Sequence, residues 1–167
     1  MADKKIRKMV LAAMLAALVT AATMVVRIPS PTNGYVNLGD CFVLLSGWLL
    51  GPWYGAAAAG IGSMLTDLLS GYAYYAPVSL LVKGLDAFVA AKIYAAMHGK
   101  RGALVVSGIV GELLMAAGYF GYTALLLGKG LTAALSIPGN LVQGALGIAV
   151  GSLLMALAKR ARLTEKI

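Results

Sequence analysis

The stretch Asn37–Gly84 reads NLGDCFVLLSGWLLGPWYGAAAAGIGSMLTDLLSGYAYYAPVSLLVKG, an oily run of apolar and small residues interrupted by Asp40, Asp67 and Lys83. An ionised side chain at mid-bilayer depth costs roughly 2.5 to 3.5 kcal/mol on insertion scales, so an unneeded one is rare. The rest of the chain is of the same kind. Of 167 residues, 60% are hydrophobic and only 12% charged, and the mean hydropathy is +0.86. That is too little polar surface to coat a soluble globule, and the composition specifies an integral membrane protein.

The formal net charge of +8 does not point to nucleic acid, because the basic residues cluster beside apolar runs, as they do on the cytoplasmic side of membrane proteins. With one cysteine, Cys41, and one histidine, His98, neither a disulfide framework nor a Cys/His metal cluster can be built. Cys41 reads as a small apolar packer and His98 as a solvated residue of the polar segment HGKRG. No phosphate-cradling G-x-x-x-x-G-K-[ST] loop occurs, so any uphill transport draws its energy from elsewhere. No nucleophile and base stand at a recognisable spacing, so neither an enzyme nor a cofactor is expected.

The expected fold is an all-α membrane protein, one domain over residues 1–167, with six transmembrane helices near 9–26, 35–50, 53–70, 77–97, 103–127 and 137–158. The uncharged run at 9–26 is longer than a signal-peptide core of ~7 to 15 residues, and it reads as a retained first span. The segment 35–50 is short for a crossing, and charge decides its fate. If it crosses, Lys4, Lys5, Arg7, Lys8, Lys100, Arg101, Lys159, Arg160, Arg162 and Lys166 lie on one side, and only Arg27 and Lys129 on the other. The positive-inside bias therefore favours six spans in the cell membrane with both termini cytoplasmic.

Position along each span becomes depth at 1.5 Å per residue. Asp40 and Asp67 fall at outer ends, Lys83 and Asp86 in the outer half of span four, and Asn140 and Gln143 in the first turns of span six. Glu112 approaches the middle, and Lys92 is close enough to the inner face to snorkel. Polar groups thus gather in the outer half, as a pocket requires and a channel, polar throughout, does not. Along span five Glu112, Met115, Tyr119 and Tyr122 share a face. With Asn37 and Tyr75 from the outer loops, the candidate binding residues are Asn37, Asp40, Asp67, Tyr75, Lys83, Asp86, Glu112, Tyr119, Tyr122, Asn140 and Gln143, a set suited to a small flat molecule with several hydrogen-bonding edges.

Plainer readings accompany these. Tyr72 and Tyr74 suit an interfacial aromatic belt as well as a pocket wall. Lys83 and Asp86 could neutralise each other along one helix, and Asp40 and Asp67 could cap helix ends. Glu112 has no partner nearby in sequence, which points to Lys83 or a substrate group. Small residues form a stripe on span one (Ala12, Ala13, Ala16, Ala17 and Ala21), on span three from Gly51 to Ser63, and on span six at Gly144, Gly147 and Gly151. Such stripes let helix backbones approach closely. Those of spans three and six read as contacts within the bundle, and that of span one suits another protein equally well.

The basic N-terminus leading into the alanine stripe, the motif Asn37-Leu38-Gly39-Asp40, the run LLGPWYGAAAAGIGSMLTDLLSGY, and Tyr75-Ala76-Pro77 followed by Leu80-Leu81-Val82-Lys83-Gly84 together resemble the substrate-binding S components of energy-coupling factor (ECF) vitamin transporters. The resemblance implies a capture subunit with an extracellular-side pocket for a water-soluble vitamin or precursor. It also implies docking through Ala12, Ala13, Ala16, Ala17 and Ala21 onto a transmembrane coupling (T) subunit driven by two cytoplasmic ATPases. The N-terminal histidine of metal-ion members is missing, which disfavours nickel or cobalt. The motif run looks closest to the riboflavin and related heterocycle group, and riboflavin, a pyridoxine-like vitamer and a thiamine-pyrimidine precursor all stay open. The alternatives are a membrane scaffold of the morphogenesis type and an integral membrane enzyme acting on lipid.

Overall fold

Gly51 takes φ +83°, a backbone region open to glycine, and Pro52 then begins a helix where its missing N–H leaves no bond unmade. This break, and similar ones downstream, cut the apolar sequence into helices. The computed structural model describes residues 2–29, 35–98, 100 and 102–165; Arg101 and Lys166, counted above among the cytoplasmic bases, lie outside the described residues. The elements are α1 (Ala2–Val25), a hairpin of β1 (Arg27–Pro29) and β2 (Tyr35–Asn37), α2 (Asp40–Leu50), α3 (Pro52–Leu69), α4 (Ala76–Ala96), α5 (Ala103–Gly121) and α6 (Ile137–Arg160). A π-helical turn at Tyr122–Leu126 and a 3-10 helix at Gly130–Ser136 join α5 to α6. The protein is an all-α membrane protein; its described strands are the antiparallel pair with Arg27 opposite Asn37.

The second segment departs from expectation. Instead of a helix over 35–50, Tyr35–Asn37 is a strand and the helix is the 11-residue α2, about 16 Å long against a hydrocarbon core of ~30 Å. Asn37 is the cause: its Oδ1 accepts the Gly39 N–H at 2.7 Å, a local turn that competes with helix. A short helix is tolerated because α2 is buried along nearly its whole length, packed against α3, α4 and α6, so protein and not lipid surrounds its ends. By length and composition, Lys4–Val25, Ala103–Leu126 and Gly130–Arg160 are sufficient to cross a membrane. The 21-residue α4 is also long enough but carries Lys83, Asp86 and Lys92.

The helices pack through small residues. A Cβ on Gly62 of α3 would stand 2.5 Å from the Ala16 carbonyl oxygen of α1, and one on Gly47 of α2 would stand 2.4 Å from the Ala87 carbonyl oxygen of α4. Thr20 adds a hydrogen bond from α1 to the Gly62 carbonyl at 2.9 Å. Ala16 is buried against α3 and Ala12 packs on the core, so these two serve the bundle, while Ala13, Ala17 and Ala21 remain exposed. Toward the termini the core is hydrocarbon, built on Leu15, Leu44, Leu45, Trp48 and Met155, with the Trp48 indole N–H donating to Ser107 Oγ at 2.9 Å. Large apolar side chains such as Leu81, Leu113 and Leu153 point outward, as a lipid-facing perimeter requires.

Candidate functional site

Alternating helix directions bring the C-terminal ends of α1, α3 and α5 together with strand β2 and the N-terminal ends of α2, α4 and α6, at the end of the bundle away from both termini. There they enclose a cavity of about 80 Å³. Every one of these elements contributes to its lining: Thr23 from α1, Val36 and Asn37 from β2, Asp40 from α2, Ser63 and Asp67 from α3, and Ser79 and Lys83 from α4, with Tyr75 just before it. Tyr119 from α5, Thr123 from the π-helical turn, Ser136, and Asn140 and Gln143 from α6 complete it.

One side of the cavity is a polar chain. The Lys83 ammonium donates to Asp40 Oδ1 in a buried ion pair, and Gln143 Nε2 donates to Asp40 Oδ2 at 2.7 Å. The Gln143 carbonyl oxygen in turn accepts from the Asn37 backbone N–H at 2.8 Å and from its side-chain Nδ2 at 3.1 Å. The network thus ties the hairpin, α2, α4 and α6 to one another, and it fixes the amide orientation of Gln143, since Oε1 must accept and Nε2 must donate. Asp40 can stand so close to α6 because position 147 is glycine: a Cβ there would lie 2.8 Å from the Asp40 Cβ.

The other side is aromatic. Tyr119 shares a 2.8 Å hydrogen bond with Ser79 and lies under the Lys83 ammonium, whose nitrogen is 5.6 Å from the ring centroid. Tyr75 stacks at tilted angles with Tyr74 at 4.9 Å and Tyr122 at 5.5 Å, and meets Thr123 across 3.4 Å. Tyr rings offer flat apolar faces with polar tips. Beside them Asn140 turns to the cavity with no hydrogen bond among the described residues, leaving a free donor and acceptor.

Eight of the eleven candidate binding residues line this cavity: Asn37, Asp40, Asp67, Tyr75, Lys83, Tyr119, Asn140 and Gln143. Tyr122 does not; its hydroxyl donates to the Tyr74 carbonyl and fastens the loop before α4. Asp86 and Glu112 lie deeper. Asp86 is fully buried, Glu112 is 5% exposed, and none of their carboxyl oxygens receives a hydrogen-bond donor among the described residues. Lys83 therefore pairs across the bundle with Asp40 and not along α4 with Asp86, and Asp40 serves this network instead of capping α2, whose cap position is Gly39. Tyr72 and Tyr74 are outside the lining, with Tyr74 46% exposed.

Sequence reading overlooked Thr23, Val36, Ser63, Ser79, Thr123 and Ser136, and for three of them a signal was present. Ser63, Ser79 and Thr123 stand one helical turn from Asp67, Lys83 and Tyr119, on the same faces.

Comparisons with known proteins agree with this architecture. The family model for the ECF-type riboflavin transporter, S component, matches residues 3–160. An uncharacterized protein in the gap 3' region of Pyrococcus woesei is 34% identical over 134 residues, covering 80% of this chain and 88% of that protein. A solved structure of the S component of a bacterial ECF transporter superposes with a TM-score of 0.71 at 20% identity, over 93% of this chain and 97% of that one. That likeness supports the fold, and the family match adds the membership: this chain belongs to the ECF-type riboflavin transporter S component family.

Proposed function

We propose that the chain captures riboflavin in the cavity between the Lys83–Asp40–Gln143 network and the Tyr75–Tyr119 wall, on the outer side of the cell membrane. The observation that carries this reading is the convergence of an aromatic face, a free amide and a buried ion pair in one cavity, over a bundle that is otherwise hydrocarbon. A flavin presents a flat tricycle with a donor–acceptor edge and a hydroxylated chain. The tyrosine rings suit the tricycle, the Asn140 amide and the carboxamide network suit its edge, and Ser63, Ser79 and Thr123 suit the hydroxyls. The family name supports riboflavin over the pyridoxine-like and pyrimidine-like alternatives.

The chain has no phosphate-cradling nucleotide loop, so the proposed import cycle takes its energy from two cytoplasmic ATPases through a transmembrane coupling subunit. The exposed stripe Ala13, Ala17 and Ala21 is the surface proposed to meet that subunit, because small residues permit the closest helix approach in lipid. Membership in a transporter family argues against the enzyme alternative, and a scaffold has no use for the polar cavity. The test is purification without added vitamin, followed by absorbance and mass spectrometry of what co-purifies. A yellow, fluorescent preparation carrying one flavin per chain is expected; a colourless preparation carrying a pyridine or pyrimidine would replace the substrate assignment.

A further inference from the structure

Asp86 and Glu112 are anomalous. Each is a carboxyl group inside a membrane bundle, buried by more than nine-tenths, without a hydrogen-bond donor among the described residues, and outside the cavity lining. A buried polar group left unpaired costs about 1 to 3 kcal/mol, and more when charged. Yet the fold makes room for both. A Cβ on Gly111 of α5 would stand 2.2 Å from Asp86 Oδ1, and one on Gly144 of α6 would stand 2.9 Å from the Glu112 Cβ. The equivalent point on Gly147 is bracketed by Asp40 and by Glu112 Oε1 at 3.0 Å. Three glycines on two helices thus seat two acids whose oxygens receive no hydrogen-bond donor among the described residues.

Lys83 stands between them in the fold. It shares α4 with Asp86 and pairs with Asp40, whose Cβ and the Glu112 Oε1 border the same point over Gly147. Asp86 is one turn deeper on the same helix, within reach of a lysine three residues away, while Glu112 enters from α5 beneath the cavity, next to Asp40 across Gly147. Asp40, for its part, gives one oxygen to Lys83 and the other to Gln143. A ligand donor that uses a second lone pair leaves both in place, whereas one that takes the position of the ammonium on Oδ1 displaces Lys83. A buried ammonium stripped of its hydrogen-bond partner is strongly destabilising, so a site with no second partner for Lys83 would resist a ligand that binds in this way.

We infer that Asp86 and Glu112 are positioning residues for ligand capture, a deeper second seat to which the Lys83 ammonium turns when a ligand group claims Asp40. This rests on the cavity being the capture site, but its first test needs no ligand. Asp40→Asn removes the charge that holds Lys83 outward. The expected result is a folded variant, melting a few degrees lower, whose structure shows Lys83 Nζ bonded to Asp86 or Glu112. An unfolded variant, or Lys83 still bound at position 40, would overturn the inference. In the triple variant Asp40→Asn/Asp86→Asn/Glu112→Gln the cation is stranded, so the melting temperature drops by more than the three single losses combined, and adding Lys83→Met restores it. No rescue by Lys83→Met would count against the idea equally. In riboflavin titrations Glu112→Gln weakens binding by roughly tenfold, the scale of one charge-assisted contact, although residue 112 lines no part of the cavity, and Glu112→Asp recovers part of the loss. Unchanged affinity in Glu112→Gln would refute a role in capture. If the ligand-free results hold while wild type binds no riboflavin, the substrate assignment fails and the second seat for Lys83 stands.

Discussion

At the scale of single residues, Gln143 is the pivot of the network, because one amide receives the hairpin through Asn37 and supports Asp40. Gln143→Glu turns its donor into an acceptor beside a carboxylate, and should cost about 2 to 4 kcal/mol of stability, measured by thermal unfolding in detergent. Asn140→Ala should behave differently. Its amide bonds to no described residue, so the melting temperature should hold while riboflavin affinity falls about tenfold, the worth of a hydrogen bond to a ligand edge that is otherwise left unpaired. Most of these residue types were legible in the sequence, since ionisable and amide groups in an oily chain are conspicuous. Their partners were not. Lys83 and Asp40 are 43 positions apart, and Gln143 and Asn37 are 106 apart, distances over which helical periodicity carries no information. Asp86, three residues from Lys83, and Glu112 were both candidate partners on the sequence, and the tertiary arrangement placed Asp40 there instead.

At the scale of elements, small residues decide which helix faces meet. Gly62 lies under the α1 backbone, and Gly62→Leu should force α1 away from α3 at a cost of about 1 to 3 kcal/mol or more, read as a lower melting temperature. Ala17 lies on the opposite, exposed face of the same helix. Ala17→Leu should leave folding and riboflavin binding intact while abolishing uptake in cells that supply the coupling subunit and ATPases; normal uptake would dismiss the docking surface. The alanine pattern revealed a small-residue helix but not which ridge faced inward, because Ala12, Ala13, Ala16 and Ala17 occupy adjoining ridges that α3 could have chosen between. Helix breaks were easier to read, as Gly51-Pro52 and Pro138 show. The strand at Tyr35–Asn37 was missed because its apolar flank continued the hydrophobic run, whereas the pairing with β1 and the Asn37 side chain's bond to the Gly39 N–H keep the helix from starting earlier.

At the scale of the whole molecule, the chain is polarised along its long axis. A hydrocarbon core around Leu44 and Trp48 occupies the terminal end, and the ionisable and amide groups surround a cavity at the other. Composition and charge distribution made this polarity legible, since each alternating helix contributed its polar residues at the same end. If the termini are cytoplasmic, as the clustering of basic residues proposes, a reporter fused to either terminus should be active only in the cytoplasm. A reporter active outside would turn the cavity toward the cell interior. The central claim is that this cavity holds a flat heterocycle, and its most direct test is an equilibrium titration of the purified protein with riboflavin, following flavin fluorescence. The account predicts saturable, one-to-one quenching in wild type and Ala17→Leu, weakened about tenfold in Asn140→Ala; identical curves for wild type and Asn140→Ala, or no saturable quenching at all, would contradict it.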